Sequence, residues 1–403
     1  MDKTLSHLQE LDAADPLRHV RDRFRLPDGA VYLDGNSLGP PPDTAQAHLE
    51  KAVTEWRERL IAGWFEAGWV EAPMRVGDRL AHLVGASPGE ILVSDSTTVD
   101  LYKLTVAALD AQPGRRAIVI QPDDFPTDRY VAAGLTSRTT PDVEVRQVDP
   151  DRVSEALDEQ VALVLLSHVG YRTGRLLDMR ELTRAAHEAG ALVLWDLCHS
   201  AGALPVDLGA CDVDLAAGCT YKFLNGGPGA PAFLYVARRL AGRLRNPIPG
   251  WFGHADTFAF AGRYAPAAGV RRFLTGAPGI LGLAALEGAL EVWDGVDLRQ
   301  VREKSSRMGD LLIELIDDGC AGRGVTVVSP REAVARGSQV SISVARAGEV
   351  TDRLAERGVV ADYRPPDVVR FGLTPLYTRY VDLAAAVEAL RTVLDELAAR
   401  SAP

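Results

Sequence analysis

This 403-residue chain has few or none of the sequence features that mark disulfide-rich, zinc-binding, membrane or secreted proteins. Its four cysteines include no C-x-x-C pair, so neither a disulfide framework nor a zinc signature is predicted. No stretch reaches about 18 uninterrupted apolar residues, and the first residues are charged and helix-patterned. We therefore expect neither a membrane span nor a signal peptide, and we expect a cytoplasmic protein.

Basic residues are also fewer than acidic ones: the chain has 44 basic and 55 acidic residues, which gives a net charge of -11. An acidic surface does not attract polyanions, which argues against nucleic acid or an anionic membrane as the main partner. Any anionic ligand must therefore meet a local positive site. The hydrophobic content of 47% is ordinary for a globular protein, and the length predicts one large domain and a smaller one.

Apolar runs that alternate with helical segments predict an α/β fold. The runs expected to form buried parallel strands are EILVS (90–94), AIVIQ (117–121), VEVRQV (143–148), VALVLLS (161–167) and ALVLWD (191–196). A long helical pattern follows over 282–318, and a final amphipathic helix covers 381–400. We expect a large, mostly parallel sheet domain at 56–290, a smaller C-terminal α+β domain at 291–403, and an N-terminal segment, 1–55, that joins the smaller domain.

An acid and a lysine stand out as candidates for chemistry. Asp196 follows an apolar strand, where open α/β sheets hold their ligands, and a buried carboxylate there needs a cationic partner. Lys222 lies between Tyr221 and Phe223, and an amine desolvated by such neighbours loses its proton more readily. Together they predict pyridoxal phosphate, whose enzymes pair a Schiff-base lysine with an acid on the ring nitrogen. The alternatives are a helix-capping Asp196 and a surface Lys222.

A phosphate site is predicted where a strand gives way to a helix. Ser96, Thr97 and Thr98 offer hydroxyls and free backbone N–H groups there, although a plain helix N-cap would use the same residue types. Phe125 could stack on the cofactor ring.

Residues later in the chain could complete the pocket and bind a substrate. Trp251 and His254 fall in a loop, where core packing is the weaker explanation. Arg370 lies inside the strand-like VVRFG, and its planar fork matches the carboxylate of an amino acid. An internal salt bridge is the alternative for Arg370.

Eight ordered blocks along nearly the whole chain resemble the kynureninase family. They are YLDGNSLGP (32–40), SDSTTVDLYKL (94–104), FPTDRYV (125–131), SHVGYRTG (167–174), WDLCHSAGALPVDL (195–208), GCTYKFLNGGPGAPAFLYV (218–236), GWFGH (250–254) and RFGLTPLYTRY (370–380). The resemblance implies a fold-type-I pyridoxal phosphate enzyme that is a homodimer with active sites at the subunit interface. It also implies hydrolysis of L-kynurenine, or of a ring-substituted relative such as 3-hydroxykynurenine, to an anthranilate and L-alanine.

The same resemblance implies roles for individual residues. Catalysis would belong to Lys222, Tyr221 and Asp196. The cofactor would contact Thr97, Thr98, Phe125, Asp128, Ser167, Asp196, His199, Tyr221, Lys222, Ala277 and, from the partner subunit, Trp251. The substrate would contact Trp64, His254, Gly276, Ala277 and Arg370.

Two questions stay open at this level. The family commonly has larger residues at the positions of Gly170, Ala277 and Gly279. We therefore expect the pocket to accept a kynurenine with a substituted ring. The alternative is sequence drift without a change of substrate. A cysteine desulfurase or class V aminotransferase of the same fold is the rival function. A desulfurase needs a reactive cysteine on a mobile loop after the lysine, and Cys320 lies instead at an apparent helix end.

Overall fold

The computed structural model describes residues 2–136 and 143–401. The helices are α1 (Asp2–Ala14), α2 (Asp43–Arg59), α3 (Gly63–Glu66), α4 (Ala72–Ala81), α5 (Thr97–Ala111), α6 (Pro126–Gly134), α7 (Met179–Glu188), α8 (Arg238–Ala241), α9 (Ile280–Leu290), α10 (Leu298–Gly319), α11 (Ala347–Glu356) and α12 (Tyr380–Ser401). The strands are β1 (Val31–Tyr32), β2 (Ile91–Val93), β3 (Ala117–Ile120), β4 (Glu144–Gln147), β5 (Val161–Ser167), β6 (Leu192–Asp196), β7 (Leu215–Gly218), β8 (Phe233–Val236), β9 (Thr326–Val327), β10 (Gln339–Ser343), β11 (Val359–Val360), β12 (Asp362–Arg364) and β13 (Val368–Gly372). Within the two described ranges, no helix is long and apolar enough to cross a bilayer.

A seven-stranded sheet forms the centre of the larger part of the chain, with strand order β2-β8-β7-β6-β5-β3-β4. The strands from β7 to β4 pair in parallel, whereas β8 pairs antiparallel with both β7 and β2. Strands β5 and β7 are buried along their whole length, as expected of strands covered on both faces. The predicted α/β fold with a large, mostly parallel sheet is confirmed.

Two of the predicted buried parallel strands differ from the expectation. The run at 143–148 gives β4, which is parallel to β3 but lies at the sheet edge, so its side chains are exposed or half-buried. The run at 90–94 gives β2, which is buried as predicted, but its partner β8 runs antiparallel to it. Apolar spacing indicates burial, and it carries no information on the direction of the neighbouring strand.

The C-terminal part has an antiparallel sheet of its own, with strand order β12-β13-β10-β9. A separate hydrophobic core covers it, to which α10, α11, α12 and the N-terminal residues Leu8 and Leu33 contribute. Strand β1 also pairs with β11, which joins Val31 to Val359. The domain boundaries at 1–55, 56–290 and 291–403 stay predictions, and residues 1 and 402–403 lie outside the described ranges.

The helical pattern predicted at 282–318 is two helices. Helix α9 ends at Leu290, and α10 begins eight positions later, after a short 3-10 turn at Glu291–Trp293. Gly295 between them has a φ of +80°, which a continuing right-handed helix cannot contain. The side chain of Asp297 then caps α10 by accepting a hydrogen bond from the Arg299 N–H at 2.8 Å.

The sheet brings several strand ends together at one edge. Ser167 is the last residue of β5 and pairs in register with Asp196, the last residue of β6, which in turn pairs with Ala217 of β7. Strand β2 ends at the same edge, because two antiparallel pairings separate it from β7, and α5 begins four residues after it at Thr97. Side chains that follow these strands therefore face a common crevice.

Candidate active site

A cavity of about 190 Å³ lies at this edge of the sheet. Its walls come from the start of α5, the beginning of α6, the ends of β5 and β6, and the turn after β7. The structure brings together nine of the predicted cofactor residues in its lining: Thr97, Thr98, Phe125, Asp128, Ser167, Asp196, His199, Tyr221 and Lys222. Their individual roles stay predictions.

One wall of the cavity is rich in buried carboxyl groups. Asp196 is 6% exposed, and one of its oxygens accepts the Cys198 N–H at 2.7 Å. Asp196 therefore caps a turn, but the residues after it form no regular helix, which weakens the alternative that it is only a helix cap. Its second oxygen leaves it able to serve a ligand as well.

Two further acids pack beside Asp196. Burial raises the pKa of Asp128 well above its usual range, and the carboxylates of Asp196 and Asp124 raise it further. Burial also raises the pKa of Asp124 to about 7, although the Gln121 and Ser167 N–H groups donate to it at 3.1 and 3.2 Å. Asp124 and Asp128 resist ionising next to other carboxyl groups, so a cation at this wall would be favoured.

Lys222 faces a neutral histidine. Its Nζ lies 2.9 Å from Nε2 of His199 and 5.9 Å from the centre of the Phe125 ring. Burial, and then the charge of Lys222, lowers the pKa of His199 well below its usual range, so the uncharged imidazole accepts a hydrogen bond from the lysine. The Nδ1 of His199 is buried and has no hydrogen-bond partner among the described residues. Lys222 itself is half-buried, which does not fit the alternative of a free surface lysine.

Residues of the N-terminal segment hold the backbone of the turn that contains Lys222. The carbonyl oxygen of Tyr221 accepts the Gly39 N–H at 2.8 Å, and the side chain of Asn225 donates to the Pro40 carbonyl at 3.1 Å. A Cβ at Gly39 would lie 2.3 Å from the Lys222 carbonyl oxygen, so only glycine permits this approach. This explains in physical terms why the block at 32–40 belongs to the site although it carries no side chain into the cavity.

Another part of the cavity wall is the start of α5. Ser96 is the residue before α5, and its hydroxyl makes no hydrogen bond to the helix, so the plain N-cap alternative is not what the structure has. Thr97 and Thr98 occupy the first turn and line the cavity. Because the first N–H groups of a 15-residue helix are free and carry its positive dipole end, this wall suits a phosphate.

A buried lysine fixes the entry to α5, a feature that the sequence analysis missed. Lys103 is fully buried and pairs with Asp95, which has a φ of +50° and lies directly before Ser96. Its Nζ also donates to the Phe273 carbonyl at 2.8 Å. The available signal was a lysine inside an otherwise apolar helix face, which requires a buried partner.

Tyr221 keeps its proton at neutral pH. Burial raises the pKa of its phenol well above the usual range, and the neighbouring thiols of Cys219 and Cys198 add to the rise. A protonated phenol next to Lys222 can donate a proton to a nearby basic atom.

The predicted substrate residue Arg370 is not free in the structure. Its Nε and Nη2 pair with the carboxylate of Asp362 at 2.7 and 2.5 Å, and its Nη1 donates to the Tyr171 carbonyl at 2.7 Å. The side chain is only 1% exposed. The internal salt bridge, which the sequence left as the alternative, is therefore present, and a direct role of Arg370 in binding substrate stays a prediction.

Five other predicted site residues lie outside the cavity. Trp64 and Trp251 pack on Phe252, with ring centres 5.4 and 4.5 Å from it. The two ring nitrogens of His254 contact backbone atoms of Asp256 and Arg263. Gly276 and Ala277 line a neighbouring cavity of about 290 Å³, which shares Asp95 and Gly229 with the first. A single chain therefore does not bring these five residues to Lys222.

The side chains present fit pyridoxal phosphate. The acidic wall matches a protonated pyridine nitrogen, the start of α5 matches the phosphate, and the exposed ring of Phe125 can cover one ring face. An oxygen of the bound group would also satisfy the orphaned nitrogen of His199.

Solved structures with a similar fold point to the same class. The cysteine desulfurase CsdA from Escherichia coli aligns with a TM-score of 0.79 at 20% identity, covering 94% of this chain and 98% of that one. A cysteine desulfurase from Thermococcus onnurineus aligns with a TM-score of 0.81 at 17% identity, covering 94% of this chain and 98% of that one. Fold and site together define a fold-type-I pyridoxal phosphate-dependent enzyme.

Sequence comparison narrows that class to one family. A kynureninase from Burkholderia pseudomallei is 45% identical over 405 residues, which cover 99% of this chain and 97% of that protein. A kynureninase from Pseudomonas fluorescens is 45% identical over 96% of this chain and 94% of that protein. The family model described as "Kynureninase C-terminal domain" matches residues 301–390. The chain belongs to the kynureninase family.

Proposed function

We propose that this chain hydrolyses the Cβ–Cγ bond of L-kynurenine, or of a ring-substituted kynurenine, to give an anthranilate and L-alanine. The observation that carries the proposal is that Lys222, Asp196 and the N-terminus of α5 meet in one cavity of a chain that belongs to the kynureninase family. Bound pyridoxal phosphate supplies an electron sink for the carbanions that form at the substrate carbons.

Lys222 has two tasks in this proposal. Its amino group would hold the cofactor, and the same amine would take the proton from the substrate α-carbon. His199 supports both tasks, because its neutral imidazole accepts a hydrogen bond from the amine at 2.9 Å and so orients it. A charged imidazolium at that distance would instead repel the protonated amine.

Asp196 and Tyr221 complete the proposed machinery. The carboxylate of Asp196 faces the end of the cavity where a positive ring nitrogen would lie, and it would hold that charge in place. Tyr221 is the proposed proton donor and acceptor when water has added to the γ-carbonyl and the carbon–carbon bond breaks, since its phenol is protonated at the start.

The position of Cys320 does not fit the desulfurase alternative. Cys320 follows the last residue of α10, is 3% exposed and belongs to the hydrophobic core of the C-terminal part. Burial raises the pKa of its thiol, which is the opposite of what a nucleophilic cysteine needs.

The proposed enzyme is a homodimer, and the support is an exposed apolar surface, named here the aromatic face. Its members are Trp56, Leu60, Ile61, Phe65, Trp251 and Phe260, which are between 41% and 78% exposed. Ring contacts link Phe65 to Trp251 through Phe258, so this part of the face is continuous. Soluble monomers rarely expose a continuous apolar surface, so a second copy of the chain is expected to cover the aromatic face. That copy would also bring Trp251 towards the partner's cavity.

We expect Lys222→Ala to abolish the visible absorbance of the covalently held cofactor and to lower kcat by roughly 100- to 10,000-fold, because it removes both the attachment point and the base. Absorbance spectra and anthranilate fluorescence measure the two effects. Lys51→Ala is the matched control, since Lys51 is 72% exposed and lies on α2. A Lys222→Ala protein that turned over kynurenine at the parental rate would disprove the proposal.

The room beside Gly276 and Gly279 supports a preference for a substituted ring. An added Cβ at either glycine would meet no atom within 4 Å, and Ala277 between them leaves the neighbouring cavity without a hydrogen-bonding side chain at that position. We expect kcat/KM for 3-hydroxykynurenine or a 4-methyl analogue to equal or exceed that for kynurenine. A strong preference for the unsubstituted ring would remove this hypothesis.

We expect Ile61→Glu combined with Phe65→Glu to convert a dimer into monomers, because burying two carboxylates without partners costs more than the interface can offset. Sedimentation velocity measures the change, and activity should fall with it. Val334→Glu is the control, since Val334 is 83% exposed and belongs to the short turn Ala333–Ala335 that packs on α10. A parent protein that sediments as a monomer, or a double variant that stays dimeric, would contradict the proposed interface.

The proposed location is the cytoplasm, which the four free cysteines support because such thiols persist in a reducing compartment. Fractionation of the source cells would contradict it if the activity were recovered outside the cytoplasmic fraction.

A further inference from the structure

Asp124 ties together the ends of two neighbouring strands. Strands β3 and β5 pair in parallel, with Ile120 opposite Leu165. One carboxyl oxygen of Asp124 accepts the N–H of Gln121, the first residue after β3, at 3.1 Å. The other oxygen accepts the N–H of Ser167, the last residue of β5, at 3.2 Å. A single carboxyl group therefore bridges two strand ends at the edge of the sheet that carries the cavity.

Asp124 acts on the cavity through its neighbours. Its side chain is 2% exposed and lies behind the cavity lining, whereas Phe125 and Asp128 line the cavity. The Asp128 N–H donates to the Phe125 carbonyl at 3.0 Å, and the Ser167 hydroxyl donates to the Asp128 carboxyl group at 3.5 Å. The two hydrogen bonds to Asp124 thus fix the turn that presents Phe125 and Asp128 to a ligand.

The charged groups around Asp124 come from several elements. Asp128 lies on α6 and Asp196 ends β6, and the charges of Asp196 and Asp124 both raise the pKa of Asp128 beyond the effect of its burial. Lys222, in the turn after β7, is the cation that lowers the pKa of Asp128. His199, which faces Lys222, is neutral and supplies no charge. Acids therefore outnumber cations among these groups, and a cationic ligand group would stabilise the ionised form of Asp124.

The carboxyl group of Asp124 changes charge near neutral pH. Burial raises its pKa to about 7, and the charge of Asp196 adds to the rise, although hydrogen bonds from Ser167 and Gln121 lower the pKa. A cation at this wall would lower the pKa of Asp124, because it favours the ionised form. By linkage, the same cation binds more tightly once Asp124 is ionised, so its affinity rises with pH towards 7 and becomes constant above it.

We propose that Asp124 is a positioning residue that controls how strongly the cavity holds the cofactor ring. It fixes the turn of Phe125 and Asp128 against the end of β5, and its ionised carboxylate attracts the positive ring nitrogen through the cavity wall. The inference rests on the proposed function for one point, namely that the ring nitrogen lies at the acidic wall beside Asp196.

The test measures cofactor affinity as a function of pH. Holoenzymes are dialysed against graded concentrations of pyridoxal phosphate between about pH 5.5 and 8, and the bound fraction is read from the visible absorbance. Asp124→Asn keeps the size of the side chain and removes its charge. We expect the dissociation constant of Asp124→Asn, divided by that of the parent, to grow by roughly 10-fold across this range, since an opposite charge lowers the pKa of a carboxyl group by about one or more. The ratio cancels the titration of the free cofactor, which both proteins share.

Two further variants separate the buried charge from other effects of substitution. Asp123→Asn is the matched control, because it removes the same charge from the preceding position, which is exposed. Its ratio to the parent should stay close to one at every pH. Asp124→Ser, whose hydroxyl can still accept one N–H, is a second neutral variant and should give the same rise in the ratio as Asp124→Asn.

Benzyl phosphate separates the charge effect from folding, because it carries a phosphate on an aromatic ring that has no nitrogen. Its inhibition constant against cofactor binding should be the same for Asp124→Asn and the parent at each pH. A pyridoxal phosphate ratio that is constant with pH, or one that changes equally for benzyl phosphate or in Asp123→Asn, would overturn the inference. A parent that shows the expected pH dependence but leaves kynurenine intact would overturn the proposed function and support the role of Asp124.

Discussion

The site depends on a concentration of buried carboxyl groups at the ends of two parallel strands. Asp196 is placed there by the register of β6 with β5, and Asp124 and Asp128 are brought beside it by the loop and first turn of α6. Burying ionised carboxyl groups costs free energy, and this cost raises the pKa values of Asp124 and Asp128. A cation at this wall lowers that cost, and the protein thus selects a ligand that carries positive charge at one end.

The part of the cavity at the start of α5 instead favours a negatively charged group. Ser96 leaves its hydroxyl unused, and the buried pair of Lys103 and Asp95 fixes the chain where α5 begins, so free N–H groups point to one place. A ligand with a cationic ring nitrogen and an anionic phosphate therefore has only one favourable orientation. In the proposed function, Lys222 and its neutral partner His199 would act between the two charged ends of that ligand.

The sequence was sufficient to predict those candidate site residues whose position follows from a single helix, strand or turn. Asp196 could be predicted because it ends an apolar strand, and Thr97 because it begins a helix shortly after one. Lys222 could be predicted because its aromatic and glycine neighbours are unusual for a lysine. Arg370 was ambiguous, since its partner Asp362 faces it across a hairpin and residue spacing alone does not show which donors a carboxylate uses. The edge position of β4 and the break at Gly295 were missed because they depend on tertiary neighbours and on backbone conformation. Trp251 and Ala277 lie outside the cavity of the described chain, and their predicted contacts with the cofactor stay predictions.

The central claim is that the carboxylate of Asp196 keeps the ring nitrogen of the cofactor protonated. Nitrogen-15 magnetic resonance of the holoenzyme, prepared with cofactor labelled at the ring nitrogen and held at mildly alkaline pH, measures that proton directly. We predict the chemical shift of a protonated pyridine in the parent and that of a neutral pyridine in Asp196→Asn. A neutral nitrogen in the parent, or a protonated one in both proteins, would contradict the account.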